Sequence, residues 1–142
     1  MGSAQPVEVI WATYAAPIIV SDSVVHLLRS HSFTGWSLYD VTVHGKQGEL
    51  LPGYHGLAIT GRCGAIDWSK GLAEPKVYPA RVSTVWKGLF FDPASWDGSD
   101  LFVPTNGNYV CVVEAVKKAV KKAKVRNAVF EALDQFERSW DL

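Results

Sequence analysis

Three aspartates crowd the stretch LFFDPASWDGSD at residues 89–100, with Trp96 among them. Asp92, Asp97 and Asp100 could offer carboxylate oxygens to a hard cation, and a histidine beside a metal-bound water would complete a small hydrolase. The spacing argues against it. The calcium-loop pattern D-x-D-x-D-G with a distal Glu is absent, so no metal is expected here. Asp-Pro and Asp-Gly-Ser are instead strong turn sequences, in which the carboxylate caps nearby backbone N–H groups. Turns account for the acids and leave Trp96 unexplained, because a small polar residue would suffice between them. Trp96 either folds back as a lid on the core or anchors a partner.

Other reactive side chains are scattered. Cys63 and His55 sit near one predicted strand, but eight residues of strand span about 26 Å, far beyond the reach of a thiol and its base. Cys63 and Cys111 form no C-x-x-C pair, and two isolated cysteines read as buried free thiols rather than a disulfide framework. The four histidines show no H-x-x-x-H spacing. Gly53, Gly56, Gly61 and Gly64 follow no phosphate-binding fingerprint and mark bulges or close backbone approach. Arg62 and Asp67 are candidates for a local ion pair.

A chain of 142 residues with 48% hydrophobic and 20% charged residues has the composition of one globular domain, spanning residues 1–142. Fourteen basic and fourteen acidic side chains cancel, so no global field draws nucleic acid or an anionic membrane. The longest apolar run, VIWATYAAPIIV, is too short to span a bilayer and holds Pro17. A soluble, unsecreted, cytoplasmic protein without cofactor is expected.

Residues 7–14 have strand composition, and Pro17 forces an extended path into IIV. Ser21 suits a helix N-cap with Asp22 in the first turn, and Val24, Leu27, Leu28 and His31 share one face of the helix that follows. Gly35 suits the left-handed exit. A second helix, VVEAVKKAVKKAK, sets Val113, Val116, Ala119, Val120 and Ala123 against a solvated face of Lys117, Lys118, Lys121 and Lys122. No aromatics interleave those lysines, so nucleic acid is not the expected partner.

The two helical regions align without a gap. Residues 20–41 laid over 112–133 match Val24 with Val116, Leu27 with Ala119, Leu28 with Val120, Phe33 with Val125, Leu38 with Phe130 and Val41 with Leu133. Gly35 falls on Asn127, the other residue type that tolerates positive φ. The reading is a duplicated strand-helix-strand unit. Further strands are expected in YHGLAITGR, STVWKGLFF and DLFV, while DWSKGLAEPKVYPA reads as an excursion or loop. The sum is an α+β domain with a mixed, largely antiparallel sheet of about six strands and two main helices.

The segments PIIVSDSVVHLL, GWSLYDVTV, LPGYHGLAITGRCGAIDWS, GLFFDPASWDGSDLFVP and VVEAVKKAVKKAKVRNAVFEAL together resemble the bacterial immunity proteins of polymorphic toxin systems. The likeness is to the family typified by a myxobacterial immunity protein, with the double-CxxCG immunity proteins as a related group, and runs from about Pro17 to Glu137. Only a single GRCG stands where the related group carries paired C-x-x-C knuckles, which puts zinc in doubt. The resemblance implies a cytoplasmic binder, not an enzyme, that neutralises a cognate toxin domain by steric occlusion. Trp96, Asp97 and Asp100 are the expected contact residues, with Tyr54 and His55 behind them. The rivals are the metal-dependent hydrolase and a subunit that self-associates through exposed aromatics.

Overall fold

The structure is a computed structural model that describes residues 7–11 and 17–139. Along the chain run β1 (Val9–Trp11), β2 (Ile18–Ser21), α1 (Asp22–Ser30), β3 (Trp36–Tyr39), β4 (Tyr54–Ile59) and β5 (Gly61–Cys63). Then follow β6 (Leu72–Tyr78), β7 (Arg81–Lys87), β8 (Leu101–Pro104), β9 (Cys111–Val112), α2 (Glu114–Lys122) and β10 (Glu137–Ser139). Short 3-10 turns form at Trp68–Lys70 and Pro93–Ser95. The first expected strand is shorter than residues 7–14, and residues 12–14 lie outside the described ones.

The fold is α+β, with two helices and strands that pair antiparallel except for β5 beside β8. Its strands divide among three sheets, ordered β1-β2-β4-β3, β5-β8-β9 and β10-β7-β6, instead of gathering into one sheet of six. The division begins at Thr60, where the chain turns between β4 and β5 and one strand-like sequence feeds two sheets. The corner is held by backbone crowding. A Cβ on Gly61 would stand 2.1 Å from the Leu101 carbonyl oxygen, and one on Gly35 would stand 2.0 Å from the same atom. Gly35 keeps its positive φ of 92° here, at the entry to β3, and is not the helix exit; Ser32, with φ 54°, takes that role.

DWSKGLAEPKVYPA is no loop. It contributes β6, which pairs with β7 over seven residues from Leu72↔Lys87 to Tyr78↔Arg81. Pro75 misled the expectation because proline lacks a ladder donor, yet β6 is an edge strand, where that loss is tolerated. Arg62 and Asp67 do not pair: Arg62 donates to the Ile59 and Gly61 carbonyls, while Asp67 accepts from Ser69 and lies 3.9 Å from Lys70.

The duplication extends further than the sequence alignment. α1 and α2 are both nine residues long, and Glu114 follows Asp22 by 92 positions, 114 less 22. Both helices close with a Schellman pattern: Phe33 N–H donates to Leu28 and Val125 N–H to Val120, around Ser32 and Lys124, each at φ 54°. β1 pairs with β2 through Val9↔Val20 and Ile10↔Ile19, and β8 pairs with β9 through Leu101↔Val112 and Phe102↔Cys111, the same register 92 positions on. The repeated unit is therefore strand-strand-helix. A trailing strand exists only in the first copy, as β3; residues 128–131 form none.

The copies hold each other reciprocally. Asp100, just before β8, accepts the Thr34 N–H after α1 at 2.8 Å; Glu8, just before β1, accepts the Arg126 N–H after α2 at 3.1 Å. Each acid thus satisfies a backbone donor of the other copy, the pattern of contacts across a twofold axis. Glu8 also pairs with the Arg126 guanidinium, and the Trp11 indole N–H donates to the Asn127 carbonyl at 2.7 Å. Between the copies, Val24, Val25, Leu27 and Leu28 of α1 and Val116 and Val120 of α2 join Val9, Val20, Leu57 and Leu101 in one buried cluster. His31 lies outside it, exposed and stacked on Phe33 at 5.2 Å. Asp100→Ala will lower stability by about 1–2 kcal/mol in urea unfolding, and Glu8→Ala by a comparable amount, since each leaves a backbone donor without its acceptor.

Candidate functional site

The loop between the 3-10 turn at Pro93–Ser95 and β8 is built by its own acids. Asp92 accepts the Ala94 N–H at 3.0 Å and so caps that turn, with Pro93 at a position where its missing N–H costs nothing. Asp97 accepts the Arg62 N–H at 2.8 Å through one oxygen and the Ser99 N–H at 3.0 Å through the other. Asp97 N–H returns to the Arg62 carbonyl, which ties the loop to β5 from both sides. Gly98, at φ 85°, makes the turn that allows this. Asp100 is taken by Thr34, through both the backbone N–H and the hydroxyl.

Trp96 sits on the frame these bonds make. Its indole N–H donates to the Ser99 carbonyl at 3.0 Å, and its ring lies 5.5 Å from the Phe102 ring. It remains 36% exposed. The ring therefore packs beside Phe102, as a lid would, while part of it meets solvent. Phe102 in turn packs with Cys63 and Cys111, both buried and free. Burial pushes the Cys111 thiol up to about 11 and raises that of Cys63. The two cysteines lie on either side of β8, so about 9.5 Å of sheet separates their strands, more than a disulfide spans.

Tyr54 and His55 are elsewhere. Both stand at the start of β4, and Thr60 at its far end adjoins the Asp97–Ser99 turn, so about 20 Å of strand lies between the two groups. The Tyr54 hydroxyl donates to the Val7 carbonyl, and His55 Nε2 bonds Asp22 at 2.5 Å. The structure does not bring the five candidate residues into one patch. Asp92, Asp97 and Asp100 also face separate backbone targets, and among the described residues no three His, Cys, Asp or Glu side chains gather as a ligand set.

Reasoning from sequence missed Thr34 altogether and assigned Arg62 to Asp67, whereas the Asp97–Ser99 bond is the self-capping turn that Asp-Gly-Ser implies. Asp100 carried a usable signal: continuing the gap-free alignment upstream sets EVIW at residues 8–11 over DLFV at 100–103, an acid before three apolar residues in both. A second exposed feature was hidden in the supposed loop. Ala73, Pro75 and Val77 of β6 share a face with Val82, Thr84 and Trp86 of β7, and Val77 is 78% exposed. Among the described residues no helix is long and apolar enough to cross a membrane. No protein-family model matches the chain, and no curated protein matches it.

The carboxyl of Asp97 is held below its ordinary value of 3.8, first by the Ser99 hydroxyl and then by the Ser99 and Arg62 N–H groups. A carboxyl depressed in the fold contributes stability that is complete above 3.8 and lost as pH falls through the lower folded value. The stability gap between the wild type and Asp97→Asn, present at pH 7, will narrow progressively in urea unfolding series as the pH is taken below 3.8.

Proposed function

We propose that this chain is an immunity-type binding protein, cytoplasmic and without a reaction of its own, that neutralises a cognate bacterial toxin domain by covering it. The observation that carries the reading is Trp96, an exposed indole on a loop already locked by Asp92, Asp97 and Asp100. A side chain ordered before binding loses little entropy on contact, and aromatic anchors of this kind dominate protein interfaces. Asp97 and Asp100 then act by holding the loop, since their carboxylates are engaged within the chain. The family resemblance supplies the partner class. Tyr54 and His55, at the far end of β4, would belong to the rim of such an interface or lie outside it.

Calorimetric titration against an inactivated form of the toxin domain encoded beside this protein will show stoichiometric binding. Trp96→Ala will weaken it by about 2 kcal/mol or more, roughly thirtyfold. The same change will cost folding only about 1–2 kcal/mol, because the ring is already partly exposed and gives up its contact with Phe102 and its bond to the Ser99 carbonyl. Absence of any complex at micromolar concentration overturns the reading.

One observation favours a second reading, self-association. The β6–β7 face leaves Val77 and Val82, opposite each other in register, 78% and 66% exposed. Sedimentation will then give a mass that rises with concentration, and Val77→Lys will abolish the rise.

A further inference from the structure

The two copies of the repeat differ in what flanks them: β8 has β5 on its outer edge where β1 ends its sheet, and, among the described residues, β9 has no strand where β2 has β4. In the first copy β4 lies between β2 and β3, with Ile18↔Leu57 and Val20↔His55 on one side and Leu38↔Leu57 and Trp36↔Ile59 on the other. Moved 92 positions on, β2 becomes β9 with Val110 before it, and β3 becomes residues 128–131. Those residues follow the course of β3: Ala128 and Phe130 pack on the shared core, as their counterparts Trp36 and Leu38 do. They form no strand because no strand lies beside them to pair with.

β9 presents the matching free edge. The Val113 N–H bond to the Asp100 carbonyl fixes the ladder, so that Cys111 bonds toward β8 and Val112 directs its N–H and C=O away from it. The Glu114 N–H is in the same position; its counterpart on Asp22 is taken by the Gly53 carbonyl at 2.9 Å, at the head of β4. Among the described residues no hydrogen bond takes the Val112 or Glu114 N–H. Cavities of about 130, 260 and 220 Å³ lie along this gap, and Val110 and Val129 line all three.

We propose that the gap between β9 and residues 128–133 is a strand-docking site, and that its occupant is an extended segment of a partner protein lying antiparallel to β9. The first copy specifies the segment. On β4, His55, Leu57 and Ile59 alternate toward α1, His55 against Asp22 and the two aliphatic side chains against the core. Glu114 replaces Asp22 in the second copy, and Val112, Val116, Val120 and Phe130 line the apolar cavity. The segment therefore reads donor-x-aliphatic-x-aliphatic, a histidine or other basic side chain on Glu114 and its backbone on Val112, by strand addition. The inference uses no residue of the Trp96 loop and stands whether or not the partner is a toxin.

The probe is a synthetic peptide with the sequence of residues 53–60, GYHGLAIT, titrated into the whole ¹⁵N-labelled protein. Saturable shifts centred on Val110, Val112, Glu114 and residues 128–131, with slowed exchange of the Val112 and Glu114 amides, are expected. A peptide with Asp in place of both aliphatic residues will not bind, and Glu114→Lys will weaken the parent peptide by at least about fivefold by removing the acceptor that faces its histidine. Three results overturn the proposal. One is slow exchange of both amides in the peptide-free protein, showing the gap already filled by the chain itself or a second copy. Another is shifts confined to residues 54–59, showing exchange with β4. The last is no shift at on the order of 1 mM peptide, weaker than strand addition to a formed edge allows.

Discussion

Everything in the central body depends on two backbone N–H groups, those of Thr34 and Arg126, and on where their acceptors come from. Each lies just past the Schellman exit of a helix, where the chain has left one hydrogen-bonding scheme and not entered the next. A local acceptor would leave two independent hairpin-helix units. Here each donor is met by an acid of the other copy, Asp100 for Thr34 and Glu8 for Arg126, 66 and 118 positions away. Neither unit is complete alone, so the valines and leucines of α1 and α2 must meet in one cluster.

The same arrangement explains why the loop carrying Trp96 is rigid. It enters β8 through Asp100, which is committed to the first copy, and it leaves the 3-10 turn through Asp97, which is committed to β5. The Leu101 carbonyl between Gly35 and Gly61 leaves the start of β8 no room to shift. With both ends tied, the indole N–H on Ser99 sets the exposed ring beside Phe102. An acidic cluster that looks like a ligand set in sequence is, in three dimensions, a set of braces. Cys63 and Cys111 pack with Phe102, and burial raises both thiols above their ordinary value.

Asymmetry within the repeat matters as much as the symmetry. The first copy is closed by β4 and β3, while the second has the course of the closing strand without the strand between. An open strand edge flanked by apolar side chains is costly to leave in place unless it is short or put to use. The third sheet is a different case. It stands on the β6–β7 hairpin, its ends tied by the Lys76–Glu137 and Lys87–Glu74 pairs, and those pairs are exposed enough to contribute little. Alternation puts Ala73, Pro75, Val77, Val82, Thr84 and Trp86 on its outer face, with Val77 and Val82 exposed.

Local chemistry settled a good deal from sequence alone. The period of 3.6 in residues 22–30 and 114–122 set both helices, Asp92-Pro93 and Asp97-Gly98 set their turns, and the match of Val24 and Leu28 with Val116 and Val120 revealed the duplication. These features depend on residues within a turn or two of each other. Tertiary structure alone decided the rest. It split one strand-like run at Thr60 between two sheets, because the Leu101 backbone needs the space that Gly35 and Gly61 leave. It turned Pro75 from a strand breaker into an edge residue by placing β6 outermost. It sent Asp100 to Thr34 and kept Tyr54 and His55 a strand's length from Trp96. A carboxylate's type and neighbours declare that it will accept a hydrogen bond; which donor it accepts from depends on how distant segments pack, and no local pattern in the sequence encodes that distance.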